Sequence, residues 1–377
     1  MIIKNATIYS ENSQTVGDFF VDNGNDEVVD ATGCFIVPAL VDLNVRLQDG
    51  VLNSKNIKKI ATSAKKGGVG HIVLNADSTP AIDSESILEF AKNGLRDVDG
   101  LNIDLMANAQ QKDNTLSNMA ILLKNGVLTV YMSTIAKNDI AIKVAEYAKM
   151  YDITLFVKAE DNSLKNSGVM LDGDVSSTLG LAGILDLSEV LHVSRMIEIA
   201  RHFGIKILFK SITSPRSVSL ITKAKEDGVK VSCEVSIHHL INSDEACANF
   251  NTIAKLDPPL PSHSDMKQLQ EMLKNGEIDI LTTLHQPNSP VNKQVAFYDA
   301  SYGCESIENA LPLYYTKLVK SGILTMQELV NLTSTNPLKL VGKEVSHILF
   351  NPNKEQTVKN PHSLYNDEVI FGEVTAI

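Results

Sequence analysis

The run Phe35–Gly50 ends in Asn44, Val45, Arg46, Leu47 and Gln48. In an extended strand, residues two apart share a face. Asn44, Arg46 and Gln48 are therefore expected to project together into whatever cavity the run leads to. A metal hydrolase would place His-x-His there, because zinc takes neutral imidazole, thiolate or carboxylate ligands. Asn-x-Arg supplies an amide and a permanent cation instead.

The elements that must position these side chains are eight largely apolar runs: Phe35–Leu47, Gly70–Ala76, Leu101–Ala109, Val127–Met132, Ile153–Ala159, Ile205–Phe209, Val229–Val235 and Ile278–Thr283. Runs without polar alternation suit strands covered on both faces. Most are followed by a helical pattern, as in Asp83–Lys92, with Asp83 as a candidate N-cap, Asp139–Lys149 and Ser217–Lys225. Eight such units point to an α/β fold, a closed (β/α)8 TIM barrel. An open doubly wound sheet is the alternative, but no Gly-rich turn follows the early strands. Short alternating segments at Ile2–Ile3 and Thr7–Tyr9 recur near the other end at His347–Asn351 and Glu368–Val374. Both termini are therefore expected to build one small β-sandwich domain, residues 1–38 with 342–377, around a barrel of residues 39–341.

A barrel of this kind places its chemistry at the C-terminal ends of the strands. The residues there are Asn44 and Arg46, then Asp77, then Met132 and Ser133, then Lys158, Glu160 and Asp161. Ser211, the pair His238 and His239, and Leu284 with His285 follow.

Composition narrows the classes. The 377 residues are 44% hydrophobic and 21% charged, with a net charge of -11. That acidity, with Lys and Arg interspersed among Asp and Glu, argues against a nucleic-acid or membrane surface. No apolar run is long enough for a bilayer span of roughly 18 residues, and the start lacks the order of a signal peptide, so a cytoplasmic location is expected. Cys34, Cys233, Cys247 and Cys304 are widely spaced and read as buried free thiols.

Several segments in order carry a resemblance. They are Phe35–Pro38, Gly168–Met170, Leu179–Gly183, Ser188-Glu189 with Val193 and Arg195, Val231–Leu240, Leu256–Leu260, Gly276–Ile280, Ser334–Pro337 and Ser363. Through them the chain resembles the dihydroorotases of the amidohydrolase superfamily, nearly end to end. The resemblance implies a metal-dependent-hydrolase barrel that holds one or two zinc ions and opens or closes the dihydroorotate ring in pyrimidine biosynthesis. The departures fall on the implied chemistry. Asn44 and Arg46 stand where the family has His-x-His, and Gln48 where it has a substrate-binding arginine. Met132 and Ser133 replace a metal-bridging acid or carboxylated lysine, and Lys158 and Ser211 replace single zinc histidines. Leu284, before His285, replaces the aspartate that is both ligand and base. Asp77 and Asp257 align with substrate-contacting asparagines, and Pro261 with an arginine.

Arg46 has no lone pair to give, and Lys158 has one only if deprotonated. Each also brings a positive charge where a dication would sit, a repulsion of several kcal/mol at short range. No catalytic residue and no metal or other cofactor are therefore expected, and the positions listed read as vestigial. Glu160 and Asp161 are expected to pair with Lys158 and Arg46, because buried charges must be paired. A rebuilt metal site from Glu234, His238 and His285 is a further option. On a strand, however, 239 faces away from 234, 236 and 238, and His285 reads more simply as a packed, hydrogen-bonded residue of the barrel mouth.

Three functions follow. The first is a catalytically inactive dihydroorotase-like subunit whose partner, by resemblance to inactive homologues, is aspartate carbamoyltransferase. The second is a small-molecule anion binder or enzyme with a rebuilt metal-free pocket around Arg46 and Lys158. The third is an active dihydroorotase with an atypical site. Homo-oligomerisation is compatible with each.

Overall fold

A computed structural model describes residues 1–11, 13–21, 27–133, 136–165 and 167–377. Strands β1 (Ile2–Tyr9), β2 (Gln14–Phe20), β3 (Val28–Asp30) and β4 (Phe35–Pro38) precede the barrel. Its strands are β5 (Leu40–Val45), β6 (Val69–Leu74), β7 (Asn102–Asn108), β8 (Thr129–Met132) and β9 (Thr154–Lys158). After a small parallel pair, β10 (Met170–Leu171) with β11 (Gly183–Ile184), come β12 (Lys206–Lys210), β13 (Val231–Ser236) and β14 (Ile280–Thr282). β15 (His347–Thr357) and β16 (Val369–Ala376) end the chain.

All eight apolar runs hold barrel strands, which pair in parallel in the order β5, β6, β7, β8, β9, β12, β13, β14. Closure is made just past the last strand, where Val45 and His285 bridge and Arg46 N donates to His285 O at 2.9 Å. The run Phe35–Leu47 is two strands rather than one. Phe35–Pro38 belongs to the sheet of the termini, and Leu40–Val45 to the barrel. That outer sheet joins β16, β15, β4, β1 and β2, with β3 also on β1, so the expected β-sandwich is built as one continuous six-stranded sheet from both ends of the chain.

The helices follow ordinary rules. Helix Ser54–Lys66 buries Ile57, Ile60, Ala61 and Ala64, the i, i+3, i+4, i+7 stripe of a helix lying on a sheet. Asn53 caps it by accepting from Asn56 N. The helix read from Asp83 starts later, at Glu85, with Ser84 in the N-cap position. Among the described residues, no helix is long and apolar enough to cross a membrane.

Candidate functional site

At the end of β5, Asn44 is buried and Arg46 lies just past the strand. The two side chains do meet, Arg46 Nη1 donating to Asn44 Oδ1 at 3.4 Å. Gln48 does not join them, because the strand ends at Val45 and Gln48 opens a turn, where its Oε1 accepts from Lys59 Nζ at 2.7 Å.

Arg46 is held by Asp77, whose Oδ2 accepts from Nε at 3.1 Å and from Nη2 at 2.8 Å. Burial alone would lower the guanidinium pKa, but the Asp77 carboxylate raises it above its ordinary value. Burial likewise pushes the Asp77 carboxyl up, and Arg46 brings it below the usual range. Lys158, at the end of β9, donates to Asp257 Oδ2 at 2.6 Å and lies 3.7 Å from Glu160. Lys165 reaches the same two carboxylates, Glu160 at 2.9 Å and Asp257 at 3.5 Å. Against the cost of burial, these contacts keep Lys158 charged above its ordinary pKa and Asp257 ionised well below its own. Arg46 lies near enough to Lys158 and Asp257 to affect both ionisations. The mouth thus carries three cations, Arg46, Lys158 and Lys165, with three carboxylates, Asp77, Glu160 and Asp257.

The expected pairing is corrected in two places. Arg46 takes Asp77 as its carboxylate instead of Glu160 or Asp161. Asp161 turns to its own loop, accepting from Ser163 N at 2.8 Å and Ser163 Oγ at 2.6 Å. That is the local capping bond by which Asp satisfies a following turn.

Beneath the ion pairs lies a polar layer in which the sequence reading named Asn44, Ser211 and Glu234 but passed over Asn75 and Lys210. Asn44 Nδ2 donates to Ser211 Oγ at 2.7 Å and to Glu234 Oε1 at 2.5 Å, and its Oδ1 accepts from Asn75 Nδ2 at 2.8 Å. Lys210, only 3% exposed, donates to Asn75 Oδ1 at 2.5 Å and Leu43 O at 3.0 Å. Burial pulls the Lys210 ammonium down to about 8, opposed by the charge of Glu234, while burial raises Glu234. The signal for Lys210 was its place, one residue beyond the run Ile205–Phe209.

Two strand-end positions keep an unusual backbone. Ser211 has φ 53° and Leu284 φ 49°, in the left-handed region. Leu284 is buried, and Met132 is buried too, in the core rather than in a cavity. The histidines are structural. His238 and His239 lie on the short helix Ile237–Ile241, started by Ser236, and not on the strand as expected. His238 Nδ1 is 2.7 Å from Tyr365 Oη and its Nε2 3.4 Å from Cys304 Sγ, whereas His239 is held between Ser236 Oγ and Pro258 O. His285 Nδ1 accepts from Ser306 N at 3.0 Å and Ile307 N at 3.3 Å. Burial lowers His238 and His285 to about 3 and His239 to about 4, so all three stay neutral near pH 7.

Zinc needs three or four imidazole, thiolate or carboxylate ligands converging on one point. The side chains at this mouth are an amide, a hydroxyl, a leucine and cations already bonded to the nearby carboxylates, a donor set that does not fit the ion. Among the described residues, no three His, Cys, Asp or Glu side chains gather as a metal would require.

Comparison with known proteins places this barrel. A family model described as dihydro-orotase-like matches residues 33–216. The dihydroorotase of Caldanaerobacter subterraneus subsp. tengcongensis is 34% identical over 354 residues, covering 90% of this chain and 81% of the relative. That of Thermoanaerobacter sp. is 34% identical over 361 residues, covering 91% and 84%. Among solved structures, an L-hydantoinase (dihydropyrimidinase) from Arthrobacter aurescens superposes with a TM-score of 0.83 at 19% identity, over 100% of this chain and 94% of the other. A dihydropyrimidinase from Brevibacillus agri gives a TM-score of 0.84 at 18% identity, covering 100% and 93%. Those two likenesses speak for the barrel and its outer sheet. With a third of its residues shared with the dihydroorotases over nine tenths of its length, the chain belongs to the dihydroorotase family of the amidohydrolase superfamily.

Proposed function

We propose that this chain is a dihydroorotase-like protein without hydrolytic chemistry, which serves as a structural or regulatory partner of aspartate carbamoyltransferase. The observation that carries the first half is the pairing of Arg46 with Asp77 and of Lys158 with Asp257, at the mouth where the family's metal chemistry is expected. Hydrolysis of a cyclic amide needs a polarised carbonyl and an activated water. Leu284 offers no base, Arg46 and Lys158 offer no lone pair, and the nearby histidines are turned to structural bonds. The partner follows from the family resemblance alone. Size-exclusion chromatography of the chain mixed with aspartate carbamoyltransferase tests it. A co-eluting complex supports the reading, and separate elution with a fully active transferase removes it.

One observation favours a second reading. Relatives at 32–34% identity carry the name dihydroorotase, which speaks for an active enzyme with an atypical site. The anion-binder reading loses support, because every cation it would use is already bonded to a carboxylate.

A further inference from the structure

Beside the ion-paired mouth, a cleft of about 570 Å³ opens over the ends of β6, β7 and β8. Its lining is unusual for its side-chain amides. Asn108 ends β7, Gln110, Gln111 and Asn114 come from the segment that follows it, and Tyr131 and Asp77 also line the cleft. Gln110 is 3% exposed; its Oε1 accepts from Ser133 Oγ at 3.0 Å, and among the described residues its buried Nε2 has no hydrogen-bond partner. An unsatisfied buried amide N–H in a folded protein calls for a partner.

The chemistry of the lining selects a class of ligand. A primary amide presents a donor and an acceptor on one rigid plane, which matches adjacent hydroxyls that each donate and accept. The aromatic face of Tyr131 suits the apolar C–H face of such a molecule. Charge argues against an anion: the fixed charges of the cleft are Asp77, Asp83 and Lys112, and Asp77 is the partner of Arg46. We propose that this cleft binds a small uncharged polyhydroxylated molecule of monosaccharide size, held by the amides of Asn108, Gln110 and Asn114. The site adjoins the ion-paired mouth, sharing Asp77 with it, and stands whether or not the chain acts as a subunit.

Saturation-transfer NMR on the full chain, with D-ribose and D-glucose as probes and propionamide and acetate as comparators, tests it. Saturable transfer to a polyol is expected. Affinity should fall roughly fivefold for each hydrogen bond removed, in Gln110→Leu and in Asn114→Gly, where glycine suits the left-handed backbone of that exposed position (φ 65°). Absence of saturable transfer to either polyol, equal affinity in both folded variants, or stronger transfer to propionamide or acetate would each overturn the assignment.

Discussion

Lys158 and Asp257 are in contact at 2.6 Å although 99 positions separate them in the chain. Their side chains are 17% and 21% exposed, so the pair is mostly desolvated. Removing one partner leaves a charge with less compensation, and Lys165, at 3.5 Å from Asp257, recovers only part of it. Lys158→Met should cost about 3 kcal/mol of unfolding free energy in urea. The double variant with Asp257→Asn should cost less than the sum of the two singles; additive losses would mean that the pair is not coupled. Deeper in, Lys210 makes a pH-dependent contribution. Its folded pKa is lowered to about 8 by burial, whereas an unfolded lysine titrates near 10.4. Between these values the unfolded chain binds the extra proton, so this group's share of stability rises with pH. Wild type should gain stability from pH 8 to 10 relative to Lys210→Met, and parallel curves would exclude the effect. Arg46 and Lys158 were legible from their places at the ends of apolar runs, whereas Lys165 and Lys210 went unread. Glu160 was expected beside Lys158 and lies 3.7 Å from it, but Asp77 and Asp257 were not legible as partners, because an ion pair between distant loops leaves no trace in local spacing.

Two strand-end positions, Ser211 and Leu284, hold non-glycine residues at positive φ. Ser211 at φ 53° holds an L-residue in the left-handed region, a strain of about 1–2 kcal/mol. Ser211→Ala keeps that strain and loses the bond accepted from Asn44, whereas Ser211→Gly loses the bond and releases the strain. Glycine should therefore be the more stable variant by about 1 kcal/mol in urea denaturation. An alanine variant of equal or greater stability would show that the strain is absent. The eight barrel strands were legible because a parallel strand covered on both faces reads as an unbroken apolar run. The same signal misled at two places. It could not register that Pro38 and Leu40 pair in different sheets, since both are apolar-run residues. Nor could it register that Ser236 ends β13 and starts a helix, which moves His238 and His239 off the strand.

At the scale of the molecule, the barrel and the outer sheet are kept, and the mouth is filled by a balanced set of three cations and three carboxylates. Such a set holds together loops from distant parts of the chain. Arg46→Ala should lower thermal stability for that reason, and an unchanged melting temperature would count against the cluster as a scaffold. The central claim is that hydrolytic chemistry has gone while the family fold remains. It is tested most directly by incubating the purified chain with zinc, removing excess metal, and following dihydroorotate ring opening and the reverse closure of carbamoyl aspartate. The account predicts no stoichiometric zinc and no turnover above the rate without protein. Retained zinc with sustained turnover in either direction would contradict it.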